Sequence, residues 1–242
     1  MTGHAQLSPS KRNRWALCPG SIREEVKYPE QESGPAAADG THSHTLLEQC
    51  IKQSTYAGFF VGKTLTDHEG SFVVDKDRAA RVQIALDYIT EQSAGGLFPV
   101  VSETRVDPAF LVGRDDLSGT VDVQILGHDM LELIDYKDGM GVVSAKGNLQ
   151  LEQYAYGVLA GYKLPVNGAY PFSTVRMTII QPKMALRGMN SITSHDVSVK
   201  ELMANMGTII KQAAATDQPD APLVPGDSQC KFCRAKGSCA AL

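Results

Sequence analysis

The chain has 242 residues, 43% hydrophobic and 21% charged, enough apolar material for one globular domain with a sizeable core. Its formal net charge of -4 argues against a generally basic nucleic-acid coat. No apolar run approaches a membrane span and the N-terminus lacks a signal-peptide core, so the expectation is a soluble, cytoplasmic protein with no membrane partner.

In chain order, Ser8-Pro9-Ser10 reads as a helix start, with Ser8 at the N-cap and Pro9 in the first position. The short helix that follows delivers Trp15 and Cys18. Tyr28 to Asp39 is rich in Pro, Glu, Gln, Ser, Gly and Ala and reads as a loop. A helix is expected from about Gly40 to Tyr56, with His42 and His44 in its first turn and Cys50 as a small buried hydrophobe. Residues 61–74 look irregular or weakly stranded. A second long helix spans Lys76 to Gln92, with an apolar face that includes Val82, Ala85, Leu86 and Ile89. Leu97 to Val106 reads as the first core strand and contains Glu103; Arg114-Asp115-Asp116 falls in a polar turn.

Around Asp122, the residues Val121, Val123 and Ile125 alternate with Thr120, Asp122 and Gln124, the period of a strand burying one face. Asp122 therefore lies on the side away from the apolar residues. Leu131 to Lys137 is also strand-like, with Asp135 and Lys137 on one face. The connection Gly127-His128-Asp129 is short, so the two strands pair as a hairpin. After a loop over Asp138 to Gly141, Lys146-Gly147-Asn148 leads into a helix running to about Tyr162, with Gln150 and Tyr154 one turn apart. Thr174 to Gln181 is a further core strand ended by Pro182, Ser191 to Val197 an edge strand, and Ser198 to Ala215 a helix. Asp217 to Gln229, with Pro219, Pro222 and Pro225, is a linker. The fold class is α/β, a mixed sheet of four or five strands flanked by helices.

Asp122 and Asp135, on adjacent strands, can converge on one divalent cation with Lys137 beside them. That suits phosphodiester hydrolysis, because a hard cation held by carboxylates polarises a phosphate oxygen and activates water, while an ammonium offsets developing charge. Residues 1–27 sum to +3 through Lys11, Arg12, Arg14, Arg23 and Lys27 against Glu24 and Glu25, and residues 230–242 also sum to +3. If the ends meet, Lys11, Arg12 and Arg14 join a patch able to hold DNA phosphates, and Lys146 is a further phosphate contact. Cys18 stands alone near the start, whereas Cys230, Cys233 and Cys239 form C-x2-C-x5-C. Disulfides suit an intracellular chain poorly. Four thiolates gathered from both ends suit a metal centre, either zinc or an iron–sulfur cluster.

Taken together, Gly40-Thr41-x-x-His44, Gly119-Thr120-x-Asp122, Asp135-x-Lys137 and Gln150-x3-Tyr154 resemble the motifs of the RecB-like branch of the PD-(D/E)xK nucleases, over roughly Trp15 to Cys239. The resemblance implies a restriction-endonuclease-like core in a single nuclease domain over 1–242, with 40–215 as core and 1–30 and 217–242 as a cluster-binding subregion. It implies His44, Asp122, Asp135 and the Tyr136 carbonyl as ligands of Mg²⁺ or Mn²⁺, and Lys137 as the catalytic lysine. By the same resemblance, Gln150 and Tyr154 are expected to support the site and touch DNA, and Glu103 to be an outer ligand or a DNA-facing group. The cysteine spacing resembles the [4Fe–4S] staple of AddB-type and CRISPR-associated RecB-like nucleases, with zinc as the alternative. The implied activity is exonucleolytic hydrolysis at duplex or single-stranded DNA ends for recombination, in a bacterial or phage-infected host cell. A single-strand annealing recombinase is the implied protein partner. The alternatives are a structure- or sequence-specific endonuclease and a catalytically idle, zinc-stapled DNA-binding or assembly module.

Overall fold

The computed structural model describes residues 5–29, 34–163 and 169–242. A small antiparallel hairpin, β1 (Thr64–Asp67) and β2 (Gly70–Val73), stands apart from a five-stranded sheet. The sheet comprises β3 (Val100–Val106), β4 (Gly119–Leu126), β5 (Met130–Tyr136), β6 (Thr174–Ile180) and β7 (Ile192–Ser198), in spatial order of sequence. Three pairings are antiparallel, and β5 with β6 is parallel. A parallel neighbour requires a crossover, supplied here by α6 (Leu149–Gly161).

Both faces of this mixed sheet are covered. On one side lie α1 (Arg12–Trp15), α6 and α7 (Val199–Thr216), packed on Leu131, Leu133, Val175 and Met177. On the other, α3 (Pro35–Lys52) and α4 (Lys76–Gln92) pack on Val123, Ile125, Ile134 and Ile180. The alternation around Asp122 thus does not mark a half-solvated strand. Val121 belongs to the first core and Val123 to the second, because the sheet is distorted between them.

The expected strands and the helix from Lys76 to Gln92 are present. The helix carrying His44 differs: it begins at Pro35, not near Gly40. Proline preset for the first helical turn, followed by three alanines, outweighs the unfavourable glycine, so His42 and His44 lie in the helix interior. The middle of the loop expected over 28–39 falls outside the described residues. Residues 61–74, expected to be weakly stranded, contain the β1–β2 hairpin.

The chain ends meet. Gly20 N donates to Pro222 O at 3.0 Å and Arg234 N to Glu25 Oε1 at 3.0 Å, beside α2 (Ser21–Glu25) and α8 (Asp227–Cys230). This junction does not use its arginines as a phosphate surface. Arg12 is 0% exposed and donates to Leu149 O (3.1 Å), Glu152 Oε1 (2.9 Å) and Gln212 Oε1 (3.2 Å). Arg14 pairs with the buried Glu25. Both arginines are pins that hold α1 in the core, which corrects their assignment to DNA. Lys11 is half-buried and Lys146 exposed. Trp15 is also in the core, its indole donating to Ser8 O at 3.2 Å. No helix among the described residues is long and apolar enough to cross a membrane.

Removing one member of a buried ion pair strands the other. Arg12→Ala is therefore expected to destabilise the protein by ~3 kcal/mol, lowering Tm by roughly 6–12 °C for a chain of this size. Calorimetric melting checks it; an unchanged Tm would refute the pinning role.

Candidate active site

The β4–β5 ladder runs from Leu126↔Leu131 to Val123↔Ile134 and stops one step short of Asp122 and Asp135. Asp122 Oδ2 instead accepts the Tyr136 backbone N–H at 2.8 Å. On the other edge of β4, Ser102 pairs with Val123 and Thr104 with Val121, while Glu103 between them has φ +47°. A left-handed conformation is unfavourable for a side-chain-bearing residue and persists only where its surroundings enforce it. The start of β4 is thereby opened on both sides, and three acids sit at the opening.

Helix α3 brings His44 to them. Its Nδ1 lies 3.5 Å from Asp122 Oδ2 and 4.0 Å from Glu103 Oε1, and its ring stands edge-on to Tyr136 with centroids 5.5 Å apart. Among the described residues, His44, Glu103 and Asp122 form the group of ligand atoms lying within 4.8 Å of one another, a set that can hold a metal ion. A cleft of about 340 Å³ opens beside it, walled by Thr41, Thr45, Glu48 and the hairpin residues Thr66, Asp67 and His68. His42 turns away: its Nδ1 is 2.8 Å from Asp67 Oδ2, and its ring stacks on Phe72.

From the opposite face, α6 supplies Gln150 and Tyr154. Lys137 Nζ lies 2.9 Å from Asp135 and donates to Gln150 Oε1 at 3.3 Å. Gln150 Nε2 donates to Asp135 Oδ1 at 2.9 Å and to Tyr154 OH at 3.1 Å. Asp135 Oδ2, although near Lys137, is buried and accepts no aligned hydrogen bond. The Lys137 ammonium, 2.9 Å from this oxygen, is the charge that offsets its burial. Asp135 is therefore present at the site but outside the tight three-ligand group, and of Tyr136 the structure shows the N–H bonded to Asp122. Gly119 has a steric reason: a Cβ there would lie 2.6 Å from the Pro9 ring and 3.0 Å from the Tyr154 ring.

The electrostatics are those of crowded acids. Burial first, then the charge of Asp122, raises Glu103 to about 7. Burial likewise raises Asp135, opposed by Lys137 and reinforced by Asp122. Burial alone would lower Lys137, but Asp135 and Asp122 outweigh it and raise its pKa. Groups shifted this way cluster at functional sites and also in structural ion-pair networks.

At the junction of the chain ends, Cys18, Cys230, Cys233 and Cys239 line a common void with Leu223, Val224 and Pro225. All are free thiols. Val224 N donates to Cys18 Sγ at 3.2 Å and Gly226 N to Cys230 Sγ at 3.4 Å. Among the described residues no three of these sulfurs approach one another as closely as the ligand atoms around His44. Cys50 is buried in α3, and burial pushes its thiol up to about 12.

A family profile described as "Protein of unknown function (DUF2800)" matches residues 4–242. The chain belongs to the DUF2800 family. Among solved structures, it is similar to one titled "Crystal structure of SSO0001", at 12% identity, with 100% of this chain and 88% of that chain covered and a TM-score of 0.45.

Sequence reasoning missed an ionic lattice behind the site of this DUF2800 chain. Arg81 grips Asp138 through two contacts of 2.9 Å, Ser43 Oγ donates to Asp138 Oδ2 at 2.7 Å, and Lys183 reaches Asp39 at 2.9 Å. Against the effect of burial, Lys183 and Arg78 hold the Asp39 carboxyl down at about 2. The lattice ties α3, next to His44, to α4 and to the segment just beyond Lys137. Its one local signal was an acid directly following Asp135-x-Lys137.

Because the folded-state pKa of Glu103 lies above its ordinary value, that carboxyl favours the fold below about pH 4.5, and the contribution is lost as pH rises to about 7. In cation-free DUF2800 protein, Glu103→Gln is expected to raise stability by ~1–2 kcal/mol at pH 8 and by nearly nothing at pH 4. Melts at the two pH values check this; equal effects would show that Glu103 is not crowded.

Proposed function

We propose that this protein is a metal-dependent DNA nuclease with a PD-(D/E)xK-type core, acting as an exonuclease on DNA ends. The observation that carries the reading is the gathering of His44, Glu103 and Asp122 within 4.8 Å, at the sheet end that also holds Asp135 and Lys137. These residues fit a hard cation by their chemistry: an imidazole and two carboxylates within 4.8 Å of one another, with a third acid, Asp135, on the adjoining strand. When bound, Mg²⁺ or Mn²⁺ supplies Lewis-acid polarisation of the phosphodiester and activation of water. Such an ion would be held by His44, Asp122 and Asp135, with Glu103 alongside and the Tyr136 carbonyl as a further donor. Lys137, kept protonated by Asp135, faces the negative charge that develops on the phosphate. Gln150 fixes the Asp135–Lys137 pair, and Tyr154 buttresses Gln150. End resection for recombination, alongside a single-strand annealing recombinase, is the role proposed for this chemistry.

The four cysteines at the chain junction are proposed to hold a [4Fe–4S] cluster. Backbone N–H groups of Val224 and Gly226 donate to two of the sulfurs, the kind of hydrogen bonding that surrounds cysteine-held clusters. A single tetrahedral zinc would bring its sulfurs to about 3.8 Å of one another, tighter than this set; zinc is the alternative. The cluster's work is structural, joining the ends.

Linear DNA labelled at either terminus and incubated with Mn²⁺ is expected to lose its label progressively, while a closed circle stays intact. Asp122→Ala and Lys137→Ala should each slow this by ~10²–10³-fold. Cleavage of the circle would point to an endonuclease, and activity surviving in Asp122→Ala would sink the hydrolytic reading. Separately, protein purified without oxygen should be brown and absorb near ~400 nm; a colourless, zinc-loaded protein would overturn the cluster assignment.

A further inference from the structure

Three segments, one of them the connection between Lys137 and Gln150 and the others packed beside it, share an unusual composition. Residues 139–148, 182–191 and 230–242 contain no Asp or Glu and carry Lys146, Lys183, Arg187, Lys231, Arg234 and Lys236, in a chain whose net charge is -4. The rest of the chain therefore sums to -10. The segments adjoin one another. Gln181 accepts from Val143 N and donates to Gly141 O, both at 2.9 Å, and Arg187 Nη1 donates to Met140 O at 3.0 Å. Lys231 Nζ lies against Gly141, where a Cβ would sit 3.4 Å from it. Lys183 is tied to Asp39 and Asp138, whereas Lys146, Arg187 and Lys231 have no ion-pair partner among the described residues.

The same surface exposes apolar side chains. Leu186 is 80% and Phe232 73% exposed, and Met140, Val142 and Met189 join them. A cationic surface calls for an anionic partner, and its place is set by the chain, since the first segment starts two residues after Lys137. A duplex offers phosphates but keeps its bases stacked inside. Unpaired bases offer both a charged backbone and open π-faces for Phe and Leu to cover.

We infer that this surface holds single-stranded DNA, phosphates on Lys146, Arg187 and Lys231 and bases on Phe232 and Leu186. The inference rests on the nuclease reading and names its substrate as an unpaired strand leading into the site.

Fluorescence anisotropy with a labelled oligothymidine and a duplex of equal length, in EDTA so that nothing is cut, tests it. The single strand is expected to bind at least tenfold more tightly. Phe232→Ala should weaken it about 5- to 100-fold while Phe232→Trp keeps the affinity, and Leu186→Ser should weaken it measurably but less than Phe232→Ala. Lys231→Ala and Arg187→Ala should each flatten the salt dependence by about one phosphate contact, and Lys63→Ala, beside the hairpin, should do neither. Equal affinity for the duplex, or face variants indistinguishable from Lys63→Ala, would overturn the inference. Leu186 and Arg187 lie outside the cysteine segment, so their variants decide the matter if Phe232→Ala disturbs the fold. Preferential single-strand binding without Mn²⁺-dependent cleavage would remove the nuclease reading and leave this surface standing; Asp122-dependent cleavage with indifferent face variants would do the reverse.

Discussion

Crowded negative charge is the constraint on which the rest of the molecule depends. Asp122, Glu103 and Asp135 occupy one end of the sheet, near enough that the charge of Asp122 raises the pKa of both neighbours. Lys137 is the fixed cation facing them, and one ammonium does not neutralise the set. Like charges held together in a partly buried place resist the fold unless a counter-charge is present, and they are tolerated because the sheet is opened there. The ladder between β4 and β5 stops before Asp122, and β3 departs from the ladder at Glu103.

An opening of this kind has to be held. One face supplies α3 with His44, locked by the Asp39–Arg81–Asp138–Lys183 lattice. The other supplies α6, whose Gln153 donates to both Leu7 O and Leu117 O at 2.8 and 2.7 Å, and whose partner Arg12 fixes the first helix beneath it. The side chains at the site therefore come from strands that cannot slide and from helices anchored on opposite layers, which is the preorganisation that electrostatic work on a substrate needs.

Much of this was legible in the chain because it depends on local periodicity. The β-branched runs marked the strands, the apolar face of Lys76 to Gln92 marked α4, and four short spacings singled out His44, Asp122, Asp135, Lys137, Gln150 and Tyr154, which the fold brings to one end of the sheet. What escaped depends on distant partners or on strain. Arg12 looked like a surface cation, and nothing near it in sequence reveals Glu152, 140 positions away. Glu103 was noticed as an acid in a strand, but its left-handed backbone is imposed by tertiary packing and not by residue preference. The early start of α3 was hidden by a glycine that reads as a helix boundary and lies inside the helix with open space around it.

The meeting of the two chain ends makes the polypeptide topologically close to a ring. Fixing residues near 20 and 222 against each other removes the freedom of a loop some two hundred residues long, an entropic constraint that grows only slowly with length. One set of contacts, Gly20 to Pro222 and Glu25 to Arg14 and Arg234, thus holds together segments some two hundred residues apart, and loosening α2 would free them in one event.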